Sequence, residues 1–164
     1  MLGKEIIIKQ FEYNTWANDK LFTCALDVPA EQLDQPSDYS CGSLRQTLYH
    51  IFAAQMMWRQ ICQFADQPPQ VPPLADFPTI AALQQYQQAE DEKLHAFVRG
   101  LDEAQLMGTI ARQHPRTGQT YELVRWHVLS HMIHHSAQHR SEAAWLLTNY
   151  GRSPGDIDFI FFVR

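Results

Sequence analysis

Apolar residues recur at three- and four-residue spacing in four long stretches of the chain, and each stretch is bounded by capping or helix-breaking residues. The first, from about Gly3 to Leu26, places Ile7, Phe11, Leu21 and Ala25 on one stripe. Pro29 closes it, because proline cannot continue a helix. Asn14 and Asn18 share that stripe, where polar side chains either orient site groups or fix helix register; the reading favours register. The second stretch opens at Ser43, whose spacing to Gln46 predicts a capping box, and runs through Leu44, Leu48, Ile51 and Trp58 to about Ala65. His50 lies beside its apolar stripe. The third runs from a Thr79 cap through Leu83, Tyr86, Leu94 and Phe97 to Gly100, which is expected to end it in a left-handed conformation. Its Gln84-Gln85 and Gln87-Gln88 pairs predict a solvated face. The fourth starts near Thr120, carries Val124, Val128, His131, His135, His139 and Leu146 on one stripe, and stops at Gly151 before Pro154.

The joints complete the expected architecture. Asp66 to Pro78 contains Pro68, Pro69, Pro72, Pro73 and Pro78 and predicts an extended crossover that can travel the length of a bundle. Its neighbours therefore need not be antiparallel. Between Met107 and Tyr121, Thr109-Ile110 and Thr120-Tyr121 flank a turn at Pro115 to Gly118, which predicts a short β-hairpin before the last helix. The aromatic tail from Asp156 to Arg164 is expected to pack down. The fold class is all-α, a four-helix bundle in one domain over residues 1–164. In such bundles metal sites are built from side chains projecting inward from facing helices.

Composition narrows the choice of function. With 164 residues, 45% hydrophobic and 19% charged, the chain can bury a core without disulfides. A net charge of -5 and the lack of any Lys/Arg cluster argue against nucleic acid, whose phosphates need a positive face. Cys24, Cys41 and Cys62 match no clip or disulfide framework, so reduced thiols in the cytoplasm are expected. Lys4, Glu5 and Lys9 interrupt Ile6-Ile7-Ile8, too short for a signal-peptide core, and no apolar run approaches the roughly 20 residues of a membrane span.

The candidate chemistry lies in the histidines. Residues four apart on a helix drift by only about 40°, so His131, His135 and His139 share a face. Imidazole is the commonest transition-metal ligand. Taken alone, an HxxxH pair suits a ligand pair and ordinary surface or core histidines equally well. His50, mid-helix beside an apolar stripe, adds weight to the metal reading, since a buried imidazole needs a hydrogen-bond partner or an ion.

Three segments resemble one known family. Tyr13-Asn14-Thr15-Trp16-Ala17-Asn18 is similar to the opening pattern of the DinB/YfiT-like superfamily of metalloenzymes, the damage-inducible DinB family of four-helix bundles. Gly42 to Ile51 resembles its first ligand helix, and His131 to Arg140 its last-helix signature, a histidine pair followed by arginine. The likeness covers nearly the whole chain and implies His50, His135 and His139 as metal ligands, with coordination positions left open. Where the family often continues with Gly-Gln, this chain has Ser141-Glu142. Glu142, on the face of His139, either receives a ring N–H or acts as a base, or is an ordinary exposed helical residue. His131 is a candidate for contact with ligand or substrate, or a core-lining residue. His95, His114, His127 and His134 read as structural or solvated.

Three imidazoles suit several divalent ions, with zinc or nickel expected, and no cysteine is assigned to the site. The resemblance implies a metal-dependent enzyme acting on a small molecule, an S-transferase using a low-molecular-weight thiol or a hydrolase. The alternative is a non-catalytic metal-binding or stress-response bundle. Helical surfaces and the aromatic tail, with Phe159, Phe161 and Phe162, suggest a homodimer.

Overall fold

The computed structural model describes residues 2–64, 67–113 and 117–164. The four predicted stripes become α1 (Leu2–Ala25), α3 (Leu44–Gln63), α4 (Ile80–Gly100) and α6 (Arg125–Asn149). Short helices α2 (Ala30–Leu33), α5 (Glu103–Met107) and α7 (Phe159–Phe162) fill the joints. The predicted hairpin is β1 (Thr109–Gln113) paired antiparallel with β2 (Thr120–Val124). The last long helix accordingly starts at Arg125, because the residues from Thr120 are spent on the strand. The expected helix end at Ala65, and the hairpin turn at His114 and Pro115, lie outside the described residues.

Local signals explain most of the boundaries. Ser43 Oγ accepts the Gln46 amide at 3.2 Å, the one half of its expected capping box that forms, and Thr79 Oγ1 the Ala82 amide at 3.1 Å, contacts each worth about 1 kcal/mol at a helix start. A reciprocal capping box forms at Asp102 and Gln105, which opens α5. Gly151, with φ of 72°, ends α6 in the left-handed region, but Gly100 does not play that part: α4 runs through it and stops at extended Leu101. The tail packs as expected, with Phe159 and Phe162 against Tyr13 and Trp16 of α1, and the Tyr13 hydroxyl donating to the Ile157 carbonyl at 2.8 Å.

Two apolar clusters divide the interior. One gathers Leu21, Phe22, Leu48, Phe52, Leu83 and Leu147; the other gathers Phe11, Ile61, Leu94, Val98, Leu129 and Met132. Each fully buried side chain of this kind contributes about 1.5–3 kcal/mol. Along α1 and α6 the chain passes from the second cluster to the first, whereas along α3 and α4 it passes the other way. The helices α3 and α4 therefore run parallel, which requires their connection to return the length of the bundle. The proline-rich segment does so along α3, where Gln60 exchanges two 2.9 Å hydrogen bonds with the Gln70 backbone and the Tyr49 hydroxyl donates to the Pro72 carbonyl at 2.9 Å. Around the bundle, α1 packs on α4 and α6, and α3 packs on the same two.

A buried polar layer separates the clusters on all four helices. Arg140 donates to Asn14, to Asn18 Oδ1 at 3.1 Å and to Ser136 Oγ at 3.0 Å. The Asn14 amide donates to Gln55 Oε1 at 3.2 Å, and Gln55 and Gln87 donate to Asp91 Oδ1 at 2.6 and 3.0 Å. Alongside, Arg59 and Glu90 form a buried two-pronged pair between α3 and α4. The solvated glutamine face is thus only partly realised. Gln87 is fully buried, while Tyr86, expected in the core, is 45% exposed, because the polar layer and not apolar spacing decides which side of α4 turns inward.

Burial pushes the Asp91 carboxyl up to about 7, although the two amide hydrogen bonds pull it down. Its folded value exceeds its unfolded one, so the stability it contributes is complete below about pH 4 and is lost as pH rises through 7, by up to roughly 4 kcal/mol. Asp91→Asn keeps the acceptor oxygen without the charge. Its urea midpoint is expected to match the wild type near pH 4 and to exceed it increasingly toward pH 8; parallel curves across that range would refute the assignment.

Candidate metal centre

The histidines gather at the seam between α3 and α6, at the level of the polar layer. On α6, Ser136 and Arg140 point into the bundle, so His135 and His139, one position before each, are turned toward α3. On α3, burial of Leu48, Ile51 and Phe52 leaves His50 half-buried at the edge facing them. His50 Nε2 lies 3.1 Å from His135 Nε2. The ring of His139 is centred 4.5 Å from each of the other two.

Two nitrogens at that separation either share one proton or direct two lone pairs at a common point. Desolvation, followed by the charge of His139, lowers the pKa of His50; the same causes, with His50 and His131, bring His135 down to about 4. Both rings are therefore neutral at neutral pH, the form that binds metal. The chemistry of this donor set fits a divalent ion.

Glu142 is the fourth participant. Its Oε2 lies 2.7 Å from His139 Nδ1, and the Ser40 hydroxyl donates to the same oxygen. Burial raises the carboxyl, but the hydrogen bonds from Ser40 and His139 outweigh it and hold the group below its usual range. An ionised Glu142 fixes the proton of His139 on Nδ1 and leaves Nε2 with its lone pair. Ser40 in turn lies 3.0 Å from Thr47 Oγ1 of α3, so this short chain ties the α2–α3 loop to both histidine helices.

The loop is shaped for that contact. Ser40 has φ of 64°, a left-handed conformation unusual outside glycine, and Gly42 has φ of 99° where a Cβ would also meet Gln46 Oε1 at 2.6 Å. Between them stands Cys41, with Sγ 3.9 Å from His139 Nδ1. One ligand atom each from Cys41, His50 and His139 lie within 4.8 Å of one another. From the sequence, no cysteine is assigned a place at the site; the fold brings one of them, Cys41, beside His139. Helical spacing carries no information about a loop residue, and the only signal was its position two residues ahead of the Ser43 cap.

The remaining histidines divide as follows. His131 is exposed, with its ring 5.4 Å from that of His135 and edge-on to Trp58 at 5.5 Å. His134 is exposed, His127 meets the Trp126 ring edge-on, and His95 meets Thr15 Oγ1 at 3.0 Å. The side-chain oxygens of Asn14 and Asn18 accept from Arg140. That arginine, buried and also lying over the Tyr13 ring at 5.1 Å, was overlooked as a positioning group although it follows His139 directly.

Comparison with known proteins agrees with this architecture. Protein DinB of Bacillus subtilis (strain 168) is 21% identical over 165 residues, covering 97% of this chain and 95% of the relative. The solved structure of YfiT from Bacillus subtilis, described as a probable metal-dependent hydrolase with an unusual four-helix bundle topology, superimposes with a TM-score of 0.69 at 17% identity over 91% of this chain and 90% of its own. The family model described as DinB family matches residues 1–164, and the chain belongs to that family.

Proposed function

We propose that the chain is a metal-dependent enzyme in which His50, His135 and His139 hold one divalent ion, zinc or nickel, for hydrolysis of a small substrate or transfer of a small thiol. The observation that carries this reading is the facing of His50 Nε2 and His135 Nε2 at 3.1 Å, with the His139 ring closing the triangle. The description of YfiT as a probable metal-dependent hydrolase supports the hydrolytic form. When bound, the ion supplies Lewis acidity that brings a small nucleophile's pKa toward neutrality. The chain's own contribution is positional. Arg140 fixes the rotation of α6, Glu142 sets the tautomer of His139, and the half-buried rings limit the water around them.

The three free cysteines support a reducing, cytoplasmic setting for the protein. The apolar face of α7, with Ile160 52% and Phe161 40% exposed, supports a homodimer built on the tail. Among the described residues, no helix is long and apolar enough to cross a membrane.

The closeness of Cys41 to His139 favours a second reading, a non-catalytic metal-binding bundle, because a donor set filled by the protein is the mark of structural sites. A large loss of folding in His135→Ala, with no exchangeable position in the metal's spectrum, would select it.

Elemental analysis of the purified protein is expected to find about one zinc or nickel per chain, and His50→Ala to lose at least ten-fold in metal affinity; unchanged metal content rules out the assigned ligands. The metallated protein is expected to turn over at least one member of a panel of esters, amides and thiol–electrophile pairs. Silence across the panel would sink the enzymatic reading while leaving the metal site standing. Glu142→Gln is expected to weaken metal binding or turnover by about 10- to 100-fold, as loss of a carboxylate behind a histidine ligand commonly does. Retention of both would make Glu142 a surface residue only.

A further inference from the structure

We propose that Cys41 is a fourth protein donor to the ion, so that the resting site is three imidazoles and one thiolate. This rests on the three-histidine reading. Three atoms no more than 4.8 Å apart lie within about 2.8 Å of a common point, that separation divided by the square root of three. Bond lengths at zinc are about 2.3 Å to thiolate and 2.0–2.1 Å to imidazole nitrogen. The ligand atoms of Cys41, His50 and His139 are thus within about half an ångström to one ångström of coordinating one ion; His135 stands outside that group of three and joins it through His50, whose Nε2 lies 3.1 Å from its own.

The loop carrying the thiol is secured to the site independently of any ion. Ser40, just before it in the chain, hydrogen-bonds Glu142 on α6 and Thr47 on α3, and its backbone keeps a left-handed conformation that is costly outside glycine. Those contacts put Cys41 Sγ 3.9 Å from His139 Nδ1, on the Glu142 side of that ring, while Cys24 lies near the Ser153 carbonyl and Cys62 is buried in the second apolar cluster. Coordination breaks the Cys41 S–H bond, releases its proton to solvent and forms the sulfur–metal bond; no electron changes hands. Cys41 then fills the position that an open catalytic site leaves for water or thiol. Turnover would then require the ion to accept a further donor or to release Cys41, and a sulfur donor would favour zinc over harder ions.

The test uses the full chain loaded with cobalt(II) and, separately, with zinc. The expected result is a near-ultraviolet thiolate-to-cobalt charge-transfer band that Cys41→Ser loses and Cys24→Ser keeps, with visible cobalt bands retained in both. Zinc-edge absorption of the wild type, which needs no variant to fold, is expected to require one sulfur at about 2.3 Å. Cobalt bound with visible bands but no charge-transfer band, or an all-nitrogen and oxygen zinc shell, overturns the role of Cys41 and leaves the three histidines. A protein that binds neither ion overturns both.

Discussion

The whole arrangement depends on one buried cation. Arg140 is almost completely enclosed, and its direct partners are neutral: the side-chain oxygens of Asn14, Asn18 and Ser136, with the face of the Tyr13 ring above it. Removing a charge from water costs several kcal/mol, which these dipoles offset only in one geometry. Taking away one acceptor would remove a hydrogen bond to a charged donor, at about 1.5–3 kcal/mol. The guanidinium therefore admits one rotation of α6 and one register of α1 against it. Apolar clusters alone would tolerate sliding, since hydrophobic contact is not directional.

The candidate centre inherits that precision. His135 and His139 occupy the positions just before Ser136 and Arg140, so the same rotation that sinks the arginine presents both rings to α3. The polar layer continues through Gln55 to Asp91, linking α3 and α4 to the same level. His50 is set along α3 by this layer on one side and by Leu48, Ile51 and Phe52 on the other. Two imidazole nitrogens consequently meet at hydrogen-bonding distance before any ion is considered.

What could be read in advance follows from which forces are local. The four helices, the Ser43 and Thr79 caps, the hairpin and the proline crossover were legible because periodicity, capping and turn chemistry act over a few residues. So was the grouping of His135 with His139. The inward turn of Gln87 and the left-handed ending assigned to Gly100 were misread, because buried amide partners and the extended Leu101 override propensity there. Cys41 was illegible for a different reason: its place depends on a loop bent at Ser40 and Gly42 and fastened to a helix about a hundred residues later. Arg140 stood in plain view within the motif, but its burial is a tertiary fact that no charged residue announces.

Topology explains why the centre forms where it does. Because α3 and α4 run parallel, the crossover occupies the side of α3 that carries Tyr49 and Gln60, and α6 takes a neighbouring side in the antiparallel sense. An antiparallel pair brings the start of α3, with its incoming loop, against the later half of α6. His50 and the Ser40–Cys41 turn thus arrive together at His135, His139 and Glu142. A conventional bundle with short loops throughout would not require the long crossover. The proline-rich connection is what lets the chain pay for this order of helices, and the loop that follows α2 is what gives the site a wall reaching beyond its helices.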